Sequence, residues 1–283
     1  MIYVFTALYC EAYPIIQYLG LKRRQDINRF QLFSDDRVSL LITGTGSLNA
    51  AIGVTSLFSL ISPGSGDILL NTGICGTDNM NLKKGTPVLC NKIIDLATFK
   101  SVYPDMLYRH PFAEGTVLTS PVPVTAGTEK RYNGPGITVT DMEAYGIFCA
   151  GSIFLQPHQM FFIKTVSDYE SGEQLNGMQV SELLSANVDK IFGWIMPIHD
   201  ELSKRRVSVF SDEEKTLLEK AAEAMKITVS MRHQLNQMMR YHKLLHGGFT
   251  AELTNFLEDR LKKPCKTKNE GKKCFEELRK RFV

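Results

Sequence analysis

The sequence has no uninterrupted apolar run of about 18 residues, no CxxC pair, no internal repeat and no low-complexity segment. Without an apolar run of that length, no membrane-spanning helix is expected. The apolar N-terminus, MIYVFTALYC, lacks a basic stretch and a small-residue cleavage site, so we interpret it as a buried strand and not as a signal peptide. Six cysteines, three of them in or beside apolar runs, favour a reducing, cytoplasmic location.

Charge is unevenly distributed along the 283 residues. Residues 1–199 carry 14 Lys and Arg against 17 Asp and Glu, whereas residues 200–283 carry 19 against 13. Hydrophobic residues make up 43% of the chain and charged residues 22%, which is typical of a globular protein with a sizeable core. We therefore predict one domain over residues 1–199 and a basic helical appendage over residues 200–283.

Short apolar runs alternate with helical patterns through the first domain. Strands are predicted over Ile2–Leu8, Phe30–Phe33, Val38–Thr43, Asp67–Asn71, Val88–Ile94, Thr116–Val124 and Met160–Val166. Helices are predicted from Glu11 to Tyr18, over Leu48–Ile61, from Met142 and over Val180–Met196, and a long loop over Ala97–Gly115. This alternation is typical of an α/β fold, a three-layer α-β-α arrangement with a mostly parallel (mixed) central sheet. Beyond residue 200 the pattern is wholly helical.

Three carboxylates stand at the ends of these elements. Glu11 follows the first strand, Glu143 opens a helix, and Asp168 follows the last strand. Any one of them alone is more often a solvated acid at a helix start. Ligands of open α/β sheets bind outside the carboxyl ends of the strands, so three acids at such ends predict a binding site there.

Five motifs occur in a characteristic order: a strand followed by Glu11, then GTG at Gly44–Gly46, LNTGxxG at Leu70–Gly76, DMEA at Asp141–Ala144 and VSD at Val166–Asp168. This order resembles the purine nucleoside phosphorylase/uridine phosphorylase superfamily, and most of all the 5′-methylthioadenosine/S-adenosylhomocysteine nucleosidases, over about residues 1–196. The resemblance implies a nucleoside phosphorylase-like fold, hydrolysis of a purine nucleoside without a cofactor, and a homodimer with the site at the subunit interface.

The resemblance also implies a role for each acid. Asp168, oriented by Ser167, would protonate the purine at N7 so that the base leaves neutral. Glu143 would bind the ribose 2′- and 3′-hydroxyls while Met142 packs on the sugar, and Glu11 would act as general base on the attacking water. The remaining substrate-site residues that it implies are Gly44, Gly46, Gly73, Ile74, Gly76, Val124 and Lys164.

The sequence also departs from the family pattern. Ile74 and Cys75 stand where the nucleosidases usually have Ser and Ala, Lys164 where they have Arg, and Pro123 near the position of an aromatic residue. Hydrolysis is favoured over phosphorolysis, because an acid follows the first strand and no Arg lies near the glycine-rich loop. A phosphorylase and a catalytically weak nucleoside-binding sensor remain as alternatives.

Three weaker signals are not assigned a site. GTGSLN lacks the third glycine of a dinucleotide fingerprint, so NAD is not expected. The residues with metal-binding side chains in the appendage match no zinc spacing, and no metal is predicted; they are His242, His246, Cys265 and Cys274. The basic tail Arg260–Arg281 is interpreted as a solvated helical face, with binding of nucleic acid or an acidic partner as the alternative.

Overall fold

The computed structural model describes residues 1–24, 29–125, 132, 134–172, 175–204, 210–260 and 264–282. The chain divides into two compact units, Met1–Arg206 and Val207–Val283. Within the described ranges, no helix is both long and apolar enough to cross a membrane.

The first unit alternates strands and helices. Its strands are β1 (Ile2–Thr6), β2 (Lys22–Arg24), β3 (Gln31–Ser34), β4 (Val38–Ile42), β5 (Ile68–Gly76), β6 (Pro87–Asp95), β7 (Ser101–Val102), β8 (Ala113–Thr119), β9 (Ile137–Asp141) and β10 (Met160–Asp168). Its helices are α1 (Tyr9–Leu19), α2 (Ser47–Ile61), α3 (Ala144–Gly151) and α4 (Gly177–Lys204), with a short 3₁₀ turn at Pro157–Gln159.

The strands form one mixed sheet. Strand β1 pairs in parallel with β4 and β5, and β5 pairs in parallel with β10. Strands β6, β8 and β9 are also parallel to one another, whereas β10 meets β6 and β5 meets β9 in antiparallel pairings. The prediction of an α/β fold with a mixed sheet is confirmed. The central parallel strands bring the ends of β1, β5 and β10 to one rim.

Alternating side chains of the central strands enter two separate hydrophobic cores. Tyr3 and Phe5 of β1 belong to a core shared with α2 and α3, and Ile2 and Val4 to a core shared with α1 and α4. Phe58 of α2 is fully buried and makes edge-on ring contacts with Tyr3 and Phe5 at centroid distances of 5.1 and 5.6 Å. Each such buried ring contributes about 1.5–3 kcal/mol, which fixes the helices on the sheet.

Several element boundaries differ from those predicted. Strand β5 continues through Gly76 instead of ending at Asn71, because the glycine-rich segment pairs with β10 along its length. The predicted long loop contains β7 and the start of β8, and β8 ends at Thr119, before the prolines that prevent further pairing. Helix α4 runs from Gly177 to Lys204, so the boundary predicted near residue 200 lies inside a helix.

The second unit is helical in its described part, and a helical C-terminal part is thereby confirmed. Its helices are α5 (Asp212–Ala224), α6 (Val229–His246), α7 (Thr250–Arg260) and α8 (Lys268–Phe282). Helix α5 begins with a capping box, in which Ser211 Oγ accepts from the Glu214 N–H and the Glu214 side chain accepts from the Ser211 N–H. The unit has its own core, which includes Leu218, Phe249 and Phe275. Residues 261–263, which come after α7 in the sequence, lie outside the described residues.

Candidate active site

A cavity of about 320 Å³ opens where β1, β5, β9 and β10 end. Eight residues predicted for the site line it: Glu11, Ile74, Gly76, Val124, Met142, Glu143, Ser167 and Asp168. The sequence reasoning missed Thr45, Thr125, Thr140, Asp141 and Cys75 as lining residues. Three acids from distant parts of the chain therefore meet in one cavity.

Backbone N–H groups hold the Glu11 carboxylate from two elements. Oε2 accepts from the N–H groups of Ala7 and Leu8 at 2.8 and 3.0 Å, and Oε1 accepts from the Ile74 N–H at 2.9 Å. Gly73 is required beneath it, because a Cβ there would lie 2.6 Å from Glu11 Oε1. A carboxylate has about four acceptor positions, so three N–H bonds leave one for a water.

Glu143 is buried at the start of α3, and its Oε1 accepts from the Gly46 N–H at 2.7 Å. Gly46 has φ +95°, a left-handed backbone conformation that directs this N–H to the acid. Burial and the neighbouring Asp141 carboxylate raise the pKa of Glu143 to about 7, although Lys164 and the Gly46 N–H act in the opposite direction. Glu143 therefore changes charge near neutral pH.

Asp168 lies at an irregularity in the pairing of β10 with β5, between Val166 and Asp168. Its Oδ1 accepts from the Glu170 N–H at 2.8 Å, and its Oδ2 lies 2.7 Å from Ser167 Oγ. Ser167 Oγ also lies 3.0 Å from the Cys75 carbonyl oxygen. Ser167 Oγ therefore links the Asp168 carboxyl group to the backbone of β5.

Lys164 does not line the cavity. Its Nζ lies 2.7 Å from Asp141 Oδ2, and both side chains are almost fully buried. Asp141 also accepts from the Ala144 N–H at 2.8 Å and from Thr119 Oγ1 at 2.8 Å. Burial lowers the pKa of Lys164, but the carboxylates of Asp141 and Glu143 outweigh it and hold that pKa above its ordinary value. Lys164 is thus a charged partner of Asp141.

The three remaining predicted residues are glycines outside the lining. Gly44 follows β4 and donates its N–H to the Ala7 carbonyl at 3.0 Å, Gly46 orients Glu143, and Gly73 lies under Glu11. They shape the backbone around the acids and do not form the cavity wall themselves. The LNTGxxG and GTG motifs predicted their importance, but their position behind the acids depends on strand pairing.

The surroundings of Cys75 and of His242 indicate what each of these two side chains does. Burial raises the pKa of the Cys75 thiol well above its ordinary value, so Cys75 is a neutral wall residue. His242 of the second unit contacts Glu252 and the Gly248 carbonyl. Across the described part of the chain, no group of three or more His, Cys, Asp and Glu is arranged to hold a metal ion.

Solved structures with a similar fold include several nucleosidases. The 5′-methylthioadenosine/S-adenosylhomocysteine nucleosidase from Neisseria meningitidis, solved with methylthio-immucillin-A, has a TM-score of 0.56 and 17% identity, over 71% of this chain and 98% of that chain. The 5′-methylthioadenosine nucleosidase from Arabidopsis thaliana has a TM-score of 0.55 and 15% identity, over 71% of this chain and 95% of that chain. The fold is that of the methylthioadenosine/S-adenosylhomocysteine nucleosidases.

This nucleosidase fold is shared by proteins that differ in substrate. Futalosine hydrolase from Helicobacter pylori matches with a TM-score of 0.51 and 13% identity, over 71% of this chain and 97% of that chain. No protein-family model matches the sequence, and no curated protein matches it. The recognition of a nucleosidase-like fold from the five motifs is confirmed, whereas the roles of individual residues remain predictions.

Proposed function

We propose that this chain is a nucleosidase-type hydrolase that cleaves the N-glycosidic bond of a purine nucleoside and releases the free base. The observation that carries the proposal is the meeting of Glu11, Glu143 and Asp168 in one cavity of about 320 Å³. That volume lies at the small end of the range for ligand pockets and suits a nucleoside better than a dinucleotide.

Asp168 is the proposed general acid. The bond between ribose C1′ and purine N9 breaks with its electrons moving into the base, while a proton passes from Asp168 Oδ2 to N7. The Ser167 contacts support this role, because they hold Oδ2 in a fixed position at the cavity wall. General acid catalysis of this kind contributes roughly 10²–10⁴-fold to the rate.

Glu143 and Glu11 act on the sugar and on water in this proposal. The ionised Glu143 accepts hydrogen bonds from two ribose hydroxyls, and Met142 packs on the sugar. Positive charge that develops at C1′ is stabilised by the surrounding carboxylates. Glu11 takes a proton from the water that attacks C1′, and its fixed position favours that step.

Water is the proposed acceptor, and phosphate is not. Acids predominate among the charged residues of the cavity wall, and the described lining includes no Lys or Arg. Lys164, the basic residue nearest in sequence to Asp168 in the motif region, is paired with Asp141. A phosphate dianion placed beside Glu11 would be repelled by several carboxylates.

The substrate proposed is a methylthioadenosine- or S-adenosylhomocysteine-like nucleoside. The methylthioadenosine/S-adenosylhomocysteine nucleosidases among the structural neighbours motivate it, and futalosine belongs in the same panel because of the Helicobacter pylori futalosine hydrolase. We further propose a three-layer catalytic domain, a cytoplasmic homodimer and a separate appendage that follows α4, which ends at Lys204. Binding of an acidic partner or nucleic acid by the basic tail remains the alternative to a solvated helical face.

Base release tests this function. Release would be measured by chromatography from methylthioadenosine, S-adenosylhomocysteine, futalosine, adenosine and inosine, each with and without phosphate. Asp168→Asn should abolish phosphate-independent release, whereas Asp105→Asn, the same change at an exposed acid, should leave it intact. Release that requires phosphate would contradict hydrolysis and favour a phosphorylase.

A nucleoside-binding sensor is the second candidate function. It is favoured by the position of Lys164, which is sequestered by Asp141, and by Ile74 and Cys75 in place of the usual Ser and Ala. All of these changes affect the region that would place the water. Tight binding of methylthio-immucillin-A together with no release from any nucleoside would support the sensor over the enzyme.

A further inference from the structure

An enclosed ion pair lies next to Glu143 in the structure. The Lys164 side chain is 2% exposed and the Asp141 side chain 0%, and their charged atoms are 2.7 Å apart. Asp141 Oδ2 also accepts the Ala144 N–H, while Oδ1 accepts from Thr119 Oγ1, which in turn accepts the Tyr145 N–H. The pair is therefore fixed to the first turn of α3, whose preceding residue is Glu143.

The charges that face Glu143 come from four elements. Asp141 of β9 and Glu11 of α1 oppose its ionisation, whereas Lys164 of β10 and the Gly46 N–H before α2 favour it. Asp168 lines the same cavity at the end of β10. Among these groups, Lys164 is the one full positive charge in the described surroundings of the acid, and Asp141 fixes where that charge lies.

We infer that Asp141 and Lys164 are a pair of positioning residues that orient Glu143 and set its charge state for ligand binding. Asp141 holds the first turn of α3 and opposes the ionisation of Glu143, whereas Lys164 supplies a positive charge that favours it. The inference rests on the proposed function, in which the ionised Glu143 binds the ribose hydroxyls. Neither residue needs to touch the nucleoside.

Removing the charge of Lys164 and removing the charge of Asp141 should shift the titration midpoint of Glu143 in opposite directions. Selective ¹³C labelling of glutamate side chains would give the midpoint in the ligand-free protein by NMR, with Glu143→Gln to assign the signal. Loss of the positive charge in Lys164→Met should raise the midpoint by about one pH unit, and Asp141→Asn should lower it by about one pH unit. The affinity for methylthio-immucillin-A should fall as the pH drops through the midpoint of Glu143, so the pH of this fall should shift by the same amount in each variant.

Control variants separate this role from a general packing defect. Lys83→Met removes an exposed lysine and should leave the midpoint unchanged, and Lys164→Arg should keep the wild-type value because the charge is retained. If either single variant fails to fold, the Asp141→Asn/Lys164→Met double variant decides, since it leaves no buried charge unpaired. Its midpoint should fall below that of Lys164→Arg, because Asp141 outweighs Lys164 at Glu143.

The outcome for the pair is distinguishable from the outcome for the proposed function. Equal midpoints in all variants, or shifts in the same direction after both single changes, would overturn the inference. Normal base release with unchanged midpoints would contradict the role inferred for the pair and support the proposed enzyme. Midpoint shifts in opposite directions, without base release from any nucleoside, would support the role inferred for the pair and contradict the proposed enzyme.

Discussion

Replacing Gly73 by alanine should displace Glu11 from the site. A Cβ at this position would lie 2.6 Å from Glu11 Oε1, closer than such atoms approach in folded proteins, and tightly against Cδ at 3.0 Å and Oε2 at 3.2 Å. The carboxylate must therefore move, and its bonds to the N–H groups of Ala7, Leu8 and Ile74 must lengthen.

The expected size of the effect follows from those three bonds. A hydrogen bond to a charged group contributes about 1.5–3 kcal/mol, and the shift should weaken at least one of them. We expect the free energy of unfolding to fall by about 2–4 kcal/mol. If Glu11 is the general base, the rate of base release should fall by roughly 10²-fold or more, because its contact with water is lost.

Gly193 provides a matched control for the same substitution. It lies inside α4, and a Cβ there would meet nothing within 4 Å, so Gly193→Ala should stabilise the protein by about 1 kcal/mol. Unfolding would be followed by circular dichroism in urea, and base release by chromatography. Equal stability of the two variants, or undiminished release from Gly73→Ala, would refute the proposed packing of Glu11 on Gly73.

Three further predictions concern charge, capping and packing. Because the pKa of Glu143 is raised to about 7 in the folded protein, its charged form opposes folding at high pH. Glu143→Gln should therefore raise the free energy of unfolding by about 3 kcal/mol at pH 8 and change it little at pH 4, as measured by urea titration at both pH values. Ser211→Ala should lower the stability of the second unit by about 1 kcal/mol in the same assay, because the Glu214 N–H loses its acceptor. Gly271→Ala should destabilise that unit by about 3 kcal/mol in thermal unfolding, because its Cβ would lie 1.8 Å from the Met225 carbonyl oxygen.

The meeting of the acids could be predicted from sequence because it depends on element order. Glu11 and Asp168 follow buried strands, and parallel strands deliver such residues to one rim of a sheet. The DMEA motif gave Glu143 in the same way, through its position at a helix start. The mixed sheet and the helical C-terminal part could likewise be inferred from apolar periodicity.

The partner of Lys164 could not be predicted from sequence. A lysine in an apolar strand has several acceptors within reach, and the choice depends on the register that places β10 near the end of β9. The extent of β5 was misjudged for a related reason. Glycines usually interrupt strands, but here Gly73 and Gly76 make room for Glu11 and for Thr140 while the strand continues.

At the start of helix α3, different residues cap the helix and present a carboxylate to the cavity. Its first N–H groups are bound by Asp141 and Thr119, so Glu143, although it occupies the N-cap position, makes no side-chain cap of its own. If Glu143 binds the ligand as proposed, substitutions at position 143 should alter ligand binding while the start of the helix stays anchored by Asp141 and Thr119. Under the proposed function, ligand preference could then change by single mutations at this position without loss of the local fold.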